Sequence, residues 1–346
     1  MVLFHDGKRA LRFCPLLVLC SVCLLLGGCQ RRPPETALET YINRLAIALS
    51  TSVERNSLTQ IPALPPDLAL TTSSNLAGAS IFDPLSLRNC TLKTTLIKRG
   101  SSLGKNAKAS QHLLLQLEFL QLAPACIALQ RQQGNIATAD QLQKEWRYER
   151  STLAGQIFQA TLAGTAFRAF WNAHPRPGEY PPVDVARARA ALNQLNHMVV
   201  RWLQGDYRSD NLALELALGE IAGARAGHTL QWLAARHDWL RAADMSLHNP
   251  VTGRLLCRQE APTTRRILLA DATAYFRQEV LPRSRRTAKQ LATLVDAVTA
   301  LEVLLEPTQS PDYQRWRHQI VELRQTIDQA AAKHLEALTR AQQACT

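Results

Sequence analysis

Apolar residues recur at three- and four-residue intervals along most of this chain, and the intervals break where prolines and glycines fall. The stretch "ETALETYINRLAIALSTSVE" puts Leu38, Tyr41, Ile42, Leu45, Leu49 and Val53 on one helical face. From Arg55 to Ser80 the period is lost among Pro62, Pro65 and Pro66, which predicts an extended loop laid across the fold. Helical spacing resumes over "PLSLRNCTLKTTLIKR" and, after a turn, over "SQHLLLQLEFLQLAPACIALQRQQ". Between Thr138 and Trp171 the residues Leu142, Trp146, Leu153, Ile157, Leu162, Phe167 and Phe170 mark one long helix or two abutting ones. Prolines in 174–182 forbid its continuation. Further periodic blocks cover 183–203, 210–243, 262–281, 286–305 and 312–342, the last with Trp316, Ile320, Leu323 and Ile327 in register.

No block sustains an alternation of two, so the predicted class is all-α. The expected architecture is an elongated bundle of about seven to nine helices with a proline-rich loop near the N-terminus. Residues 35–346 read as one helical domain, with 174–182 as the place where a sub-division would fall. No repeat of fixed period marks a solenoid.

The first 28 residues follow a different pattern. Lys8, Arg9 and Arg12 precede the 14-residue apolar run Phe13–Leu26. A bilayer-spanning helix needs roughly 20 apolar residues, whereas a signal peptide needs about 7 to 15. Residues 1–28 are therefore expected to be an export signal. Leu26, Gly27, Gly28 and Cys29 resemble the lipobox of bacterial lipoproteins, in which the cysteine carries a diacylglycerol and the bond before it is cut. Several acyl chains at about 0.8 kcal/mol per buried CH₂ make a durable anchor. Arg31, Arg32, Pro33 and Pro34 would complete a short tether over 29–34. Gln30 stands where lipoproteins retained in the inner membrane typically carry Asp, so the resemblance implies the periplasmic face of the outer membrane.

Export changes how charge and cysteine are read. Removing 1–28 lowers the formal charge from +12 to +10. A basic surface of that size favours anionic neighbours such as lipid headgroups or an acidic envelope protein, while an exported chain meets no nucleic acid. Cys90, Cys126, Cys257 and Cys345 remain once the signal cysteines and Cys29 are set aside. An oxidising compartment favours disulfides among them. Four cysteines allow three pairings, of which Cys90 with Cys126 and Cys257 with Cys345 is favoured because each pair shares a half of the chain. No two have the short spacing of zinc ligands, so no metal site is expected.

Chemistry-bearing motifs are sparse. In "RGSSLGKN" the glycines at 100 and 104 enclose three residues where a nucleotide-binding loop needs four, and Asn106 stands where a Ser or Thr must reach magnesium. A turn between helices is expected there, with Ser101, Ser102 and Lys105 as candidates for an anion cup. His228 and His237 lie two and a half helical turns apart and so face opposite sides. The carboxylate pairs Glu145 with Glu149 and Glu215 with Glu220 lie on helices otherwise rich in Arg and Leu, where i to i+4 ion pairing with a cation is the ordinary use. No G-x-S-x-G elbow occurs. Arg283, Arg285, Arg286 and Lys289, with Arg265 and Arg266 nearby, form a candidate anion-binding patch or a solvated helix face. No cofactor is called for.

The strings "KRGSSLGK", "SQHLLLQLEFLQLAPAC", "LLCRQEAPTTRR" and "AYFRQEVLP" resemble a gammaproteobacterial lipoprotein family catalogued as a domain of unknown function, whose members share an SSLGK turn and a lipobox. The resemblance is specific over 85–126 and weaker over 255–282. It implies an exported lipoprotein with structural cysteines at 90, 126 and 257, and it brings no activity with it. An asparagine commonly occupies the position of Gly100 in that family, so no side-chain role carries over there. The expected function is a non-enzymatic, lipid-anchored interaction or envelope-maintenance factor. An enzyme on cell-wall or lipid substrates, with a cleft at the Ser101–Lys105 turn, is the alternative.

Overall fold

The computed structural model describes residues 35–55, 58–66, 68, 87, 89–172, 185–248 and 262–343. Among these residues every regular element is helical, which is the all-α bundle the periodicity requires. In chain order the helices are α1 (Glu35–Leu49), α2 (Leu92–Gly100), α3 (Ala109–Gln132), α4 (Ile136–Ala160), α5 (Thr165–Trp171), α6 (Ala186–Leu203), α7 (Asn211–Gly223) and α8 (Ala226–His248), then α9 (Pro262–Tyr275), α10 (Leu281–Leu304) and α11 (Pro311–Gln343). A single helical turn, Ser102–Lys105, sits between α2 and α3. A π turn, Phe276–Val280, joins α9 to α10 without a break.

The apolar stripes converge on two cores. The larger draws on α2 to α7, the first half of α8 and most of α10, and is closed at one end by an aromatic group in which Phe158, Tyr313, Trp316 and Trp171 meet edge to face or tilted at 5.3 to 5.4 Å. The smaller core packs Leu38, Tyr41, Ile42, Leu45 and Leu49 of α1 against Leu240–Leu247 of α8, Phe276 and Val280, and Ala331–Leu338 of α11. Helices α8, α10 and α11 contribute to both cores. With 33 residues, α11 runs about 50 Å.

The proline-rich segment crosses the helices as an extended strap. Its carbonyl groups are held by side chains: Trp316 Nε1 donates to Pro62 O at 3.0 Å, Arg168 to Pro65 O and Pro66 O at 2.8 and 2.7 Å, and Gln159 to Leu68 O at 2.6 Å. At its start Thr59 donates through both N–H and hydroxyl to Asp238 at 2.7 and 2.5 Å. A segment without helical ladders must satisfy its polar backbone this way.

Element boundaries differ locally from the periodic blocks. Helix α2 begins at Leu92, because Asn89 takes the left-handed conformation (φ 56°) just before Cys90. The 210–243 block is two helices, broken at Arg225 (φ 47°). At the start of α8 a Cβ on Gly227 would collide with the carbonyl oxygens of Trp171 and Asn172, so the close approach of α5 to α8 depends on that glycine. Helix α3 has the length and apolar composition of a membrane-crossing helix. It is packed between α2, α4 and α7, and buries Leu113, Leu117, Phe119, Leu120 and Ala123 together with Gln116 and Gln130, the composition of a helix covered on several sides.

Candidate functional site

The SSLGK turn is built by close approach. A Cβ at Gly104 would overlap the Lys98 carbonyl oxygen and lie 2.8 Å from that of Arg99, so only glycine lets the turn fold back onto the end of α2. Ser101 caps in both directions, accepting from the Gly104 N–H at 3.0 Å and donating to Lys98 O at 2.7 Å. The N–H groups of Ser101, Lys105 and Asn106 are also spent locally, on Ile97 O, Ser101 O and Ser102 O at 3.0, 2.9 and 3.2 Å. The backbone N–H groups of Ser101, Gly104, Lys105 and Asn106 are thus committed inside the turn, which leaves an anion cup at Ser101, Ser102 and Lys105 few backbone donors. Ser101, Ser102 and Lys105 are themselves exposed.

Three devices fix this turn to the body. The Cys90–Cys126 disulfide, with Cα atoms 5.5 Å apart, ties the start of α2 to α3. Arg99, at the end of α2, forms a nearly buried ion pair with Glu149 of α4 and lies over the Phe119 ring at 5.3 Å. Gln116 of α3 donates to Glu149 O at 2.7 Å, joining the two helices behind the pair. Glu149 therefore serves a contact across 50 residues, where the sequence suggested pairing with a cation of its own helix. Burial raises the pKa of the Glu145 carboxyl, and the charge of Glu149 adds to the effect while Arg99 opposes it. His112 is shifted down, first by burial and then by the charge of Arg99, against a hydrogen bond with the Ala107 backbone.

What the turn presents is apolar. Leu103 is 87% exposed, the most exposed large hydrophobic side chain among the described residues, and Lys105 stands beside it. An open groove of about 380 Å³ lies elsewhere, between Leu120, Pro124, Trp146, Arg150 and the 205–208 loop, where Arg208 holds the Asp206 carboxyl far below the usual carboxylate range. No residue of the 101–106 turn lines that groove.

The family comparison extends over nearly all of this architecture. Residues 38–346 match the family described as "Protein of unknown function (DUF3080)". The chain belongs to this family. No curated protein and no solved structure matches it. The DUF3080 match begins inside α1 and takes in both cores, the strap and the SSLGK turn.

The remaining expected site residues fall apart in space or outside the described residues. Leu26, Gly27, Gly28 and Cys29 lie outside them, as do Cys257 and Cys345. Arg283 is engaged by Glu279 at 2.9 Å, whereas Arg285, Arg286 and Lys289 are exposed on α10. Glu215 accepts from Ser110 and Gln111 at 2.7 and 2.9 Å and so links α7 to α3. His237 lies 3.4 Å from Asp238, the carboxylate that receives Thr59.

A polar chain in the second core was missed by motif reasoning. Tyr41 of α1 is hydrogen-bonded to Nε2 of the fully buried His334, whose Nδ1 lies 2.6 Å from Asp244 Oδ1 of α8. Phe276 of the π turn packs against both rings at 5.0 and 4.9 Å. Burial, reinforced by the Asp244 charge, keeps the Tyr41 phenol protonated, so a neutral imidazole satisfies every member: Tyr41 donates to Nε2 and Nδ1–H donates to Asp244. The available signal was register, since His334 continues the apolar series Ile327, Ala331, Leu338 on α11.

Proposed function

We propose that this DUF3080 protein is a lipid-anchored, extracytoplasmic interaction factor that recognises an envelope partner through the SSLGK turn. The observation that carries the reading is Leu103, displayed at the tip of a turn held by a glycine contact, a serine cap, a disulfide and a nearly buried ion pair. A leucine left in water forgoes about 1.5 to 3 kcal/mol of burial. Rigid support beneath an apolar tip lowers the ordering cost of docking it into a partner's pocket. Disulfide bonding between Cys90 and Cys126 suits an oxidising compartment, and the lipobox-like Leu26–Cys29 supplies the attachment.

The test is crosslinking in intact cells followed by purification of the chain. The native protein should carry one defined envelope partner, and Leu103→Glu should remove it while leaving the melting temperature unchanged. A partner retained in full by Leu103→Glu would overturn the reading. Mass spectrometry of the processed chain tests the anchor, with acyl chains expected on Cys29 and a bare thiol contradicting them.

A further inference from the structure

The helix that runs from α9 through the π turn into α10 carries one face that no other element covers among the described residues. Arg266, Ile267, Ala270, Ala274, Arg277, Pro282, Arg285, Arg286 and Lys289 are all exposed. Their alignment depends on the π turn. A plain α-helix would place Arg277 over Ser284, which is buried against Arg236, but the wider π turn advances the face by about one residue, so that Arg277 falls in line with Pro282 and then with Arg285, Arg286 and Lys289. From Arg266 to Lys289 the stripe runs about 35 Å. Arg277, Arg285, Arg286 and Lys289 have no ion-pair partner among the described residues. The acids that border the stripe are neutralised, Asp271 by Arg44 at 2.9 Å and Glu279 by Arg283 at 2.9 Å. Ala270, Ala274 and Pro282 put small side chains between the cations, and Gln278, exposed beside Arg277, is uncharged.

Helix α1 lies antiparallel along this same element. Tyr41 meets Phe276, while Arg44 pairs with Asp271 and stacks on Tyr275 at 4.3 Å. The six residues from Tyr41 back to Glu35 rise about 9 Å, so the start of α1 is directed from Phe276 towards the α10 end of this element. Six more residues lead back to Cys29, and whatever their conformation they reach at most about 20 Å. A bilayer holding Cys29 is therefore never far from the cationic stripe.

We infer that the α9–α10 stripe is a membrane-docking surface, which takes the anionic phospholipid headgroups of the bilayer to which the chain is tethered. This inference rests on the anchor assigned under the proposed function. The tether confines the molecule near the bilayer, and the stripe fixes which side faces it. A straight row of unpaired cations separated by small residues lies flat on a plane of negative charge, and Ile267, 63% exposed at one end, adds an apolar contact at the interface.

The test footprints arginine with phenylglyoxal on the full chain as cells process it. Vesicles of phosphatidylglycerol in phosphatidylcholine are compared with vesicles of phosphatidylcholine alone. On anionic vesicles, modification of Arg277, Arg285 and Arg286 should slow about fivefold or more, while Arg147 on α4 reacts unchanged. Raising salt to about 0.5 M should restore the rates, because exposed charges are then screened within a few ångströms. In Arg277→Gln/Arg285→Gln/Arg286→Gln/Lys289→Gln, which the acyl anchor still holds on the vesicle, the slowing of Arg266 at the far end of the stripe on anionic vesicles should be lost. Equal rates on the two vesicle types, or a quadruple variant in which Arg266 stays slowed on anionic vesicles, would overturn the stripe. Mass spectrometry of residue 29 on the same sample keeps the two failures apart. Protection with a bare Cys29 would sink the anchor alone, and an acylated Cys29 without protection would sink the stripe alone.

Discussion

The two cores hold their peripheral elements by opposite means. In the larger, the SSLGK turn and α2 are secured by a disulfide and by the Arg99–Glu149 pair near the surface, above an interior that is largely apolar and aromatic. In the smaller, α1 has no covalent link among the described residues, and a hydrogen-bonded chain of Tyr41, His334 and Asp244 passes through the apolar packing. A brace at the periphery tolerates local change, because the core beneath it is intact without it. Buried polar groups are less forgiving, since losing one partner leaves the others unsatisfied in a dry site.

The largest expected effect follows from that difference. Phe276→Ala, at a side chain with no exposure that touches both Tyr41 and His334, should cost about 3 to 5 kcal/mol in denaturant unfolding and release α1 to proteolysis. Removing the disulfide as Cys90→Ala/Cys126→Ala should cost about 2 to 4 kcal/mol, the range expected for a closed loop of 36 residues. The proteolytic resistance of α1 should be unchanged in that variant. Equal loss of α1 in both would show that the two cores do not differ in this respect. Gly104→Ala, with its Cβ driven against the Lys98 carbonyl, should cost about 1 to 3 kcal/mol, whereas Leu103→Ala should stay within about 0.5 kcal/mol.

Titration near the turn has a defined sign. The raised Glu145 pKa means that its neutral form is favoured in the folded chain, so the stability this group contributes is full below about pH 4.3 and is lost as pH rises through the folded value. Glu145→Gln should therefore stabilise the protein at neutral pH, by an increment that vanishes on acidification. His112 runs the other way: its lowered pKa gives stability that is full above about pH 6.5 and is lost as pH falls through the folded value. Nuclear magnetic resonance should find its imidazole titrating below the usual histidine range.

Much of this architecture was legible from spacing alone. Leu38 through Leu49 announced α1, and Trp316 through Ile327 announced α11, because a single buried face imposes the helical period. The strap was legible because prolines exclude helix. The π turn was not, since one extra residue per turn leaves the local composition unchanged, and with it went the alignment of Arg277 with Arg285. Glu149 was misassigned for a related reason: spacing reports neighbours on one helix and carries nothing about Arg99, 50 residues away. His334 stood in an apolar register position that motif rules do not inspect. The SSLGK string signalled a turn, but that Gly104 would be buried and Leu103 exposed depends on how the turn packs against α2, which only the assembled helices determine.

Recognition through the turn is tested most directly by a photoreactive side chain at position 103, activated in intact cells, with position 212 as an equally accessible comparison, since Leu212 is 67% exposed on α7. One discrete adduct at 103 and none at 212 is the predicted result. Indistinguishable labelling at the two positions would contradict the account.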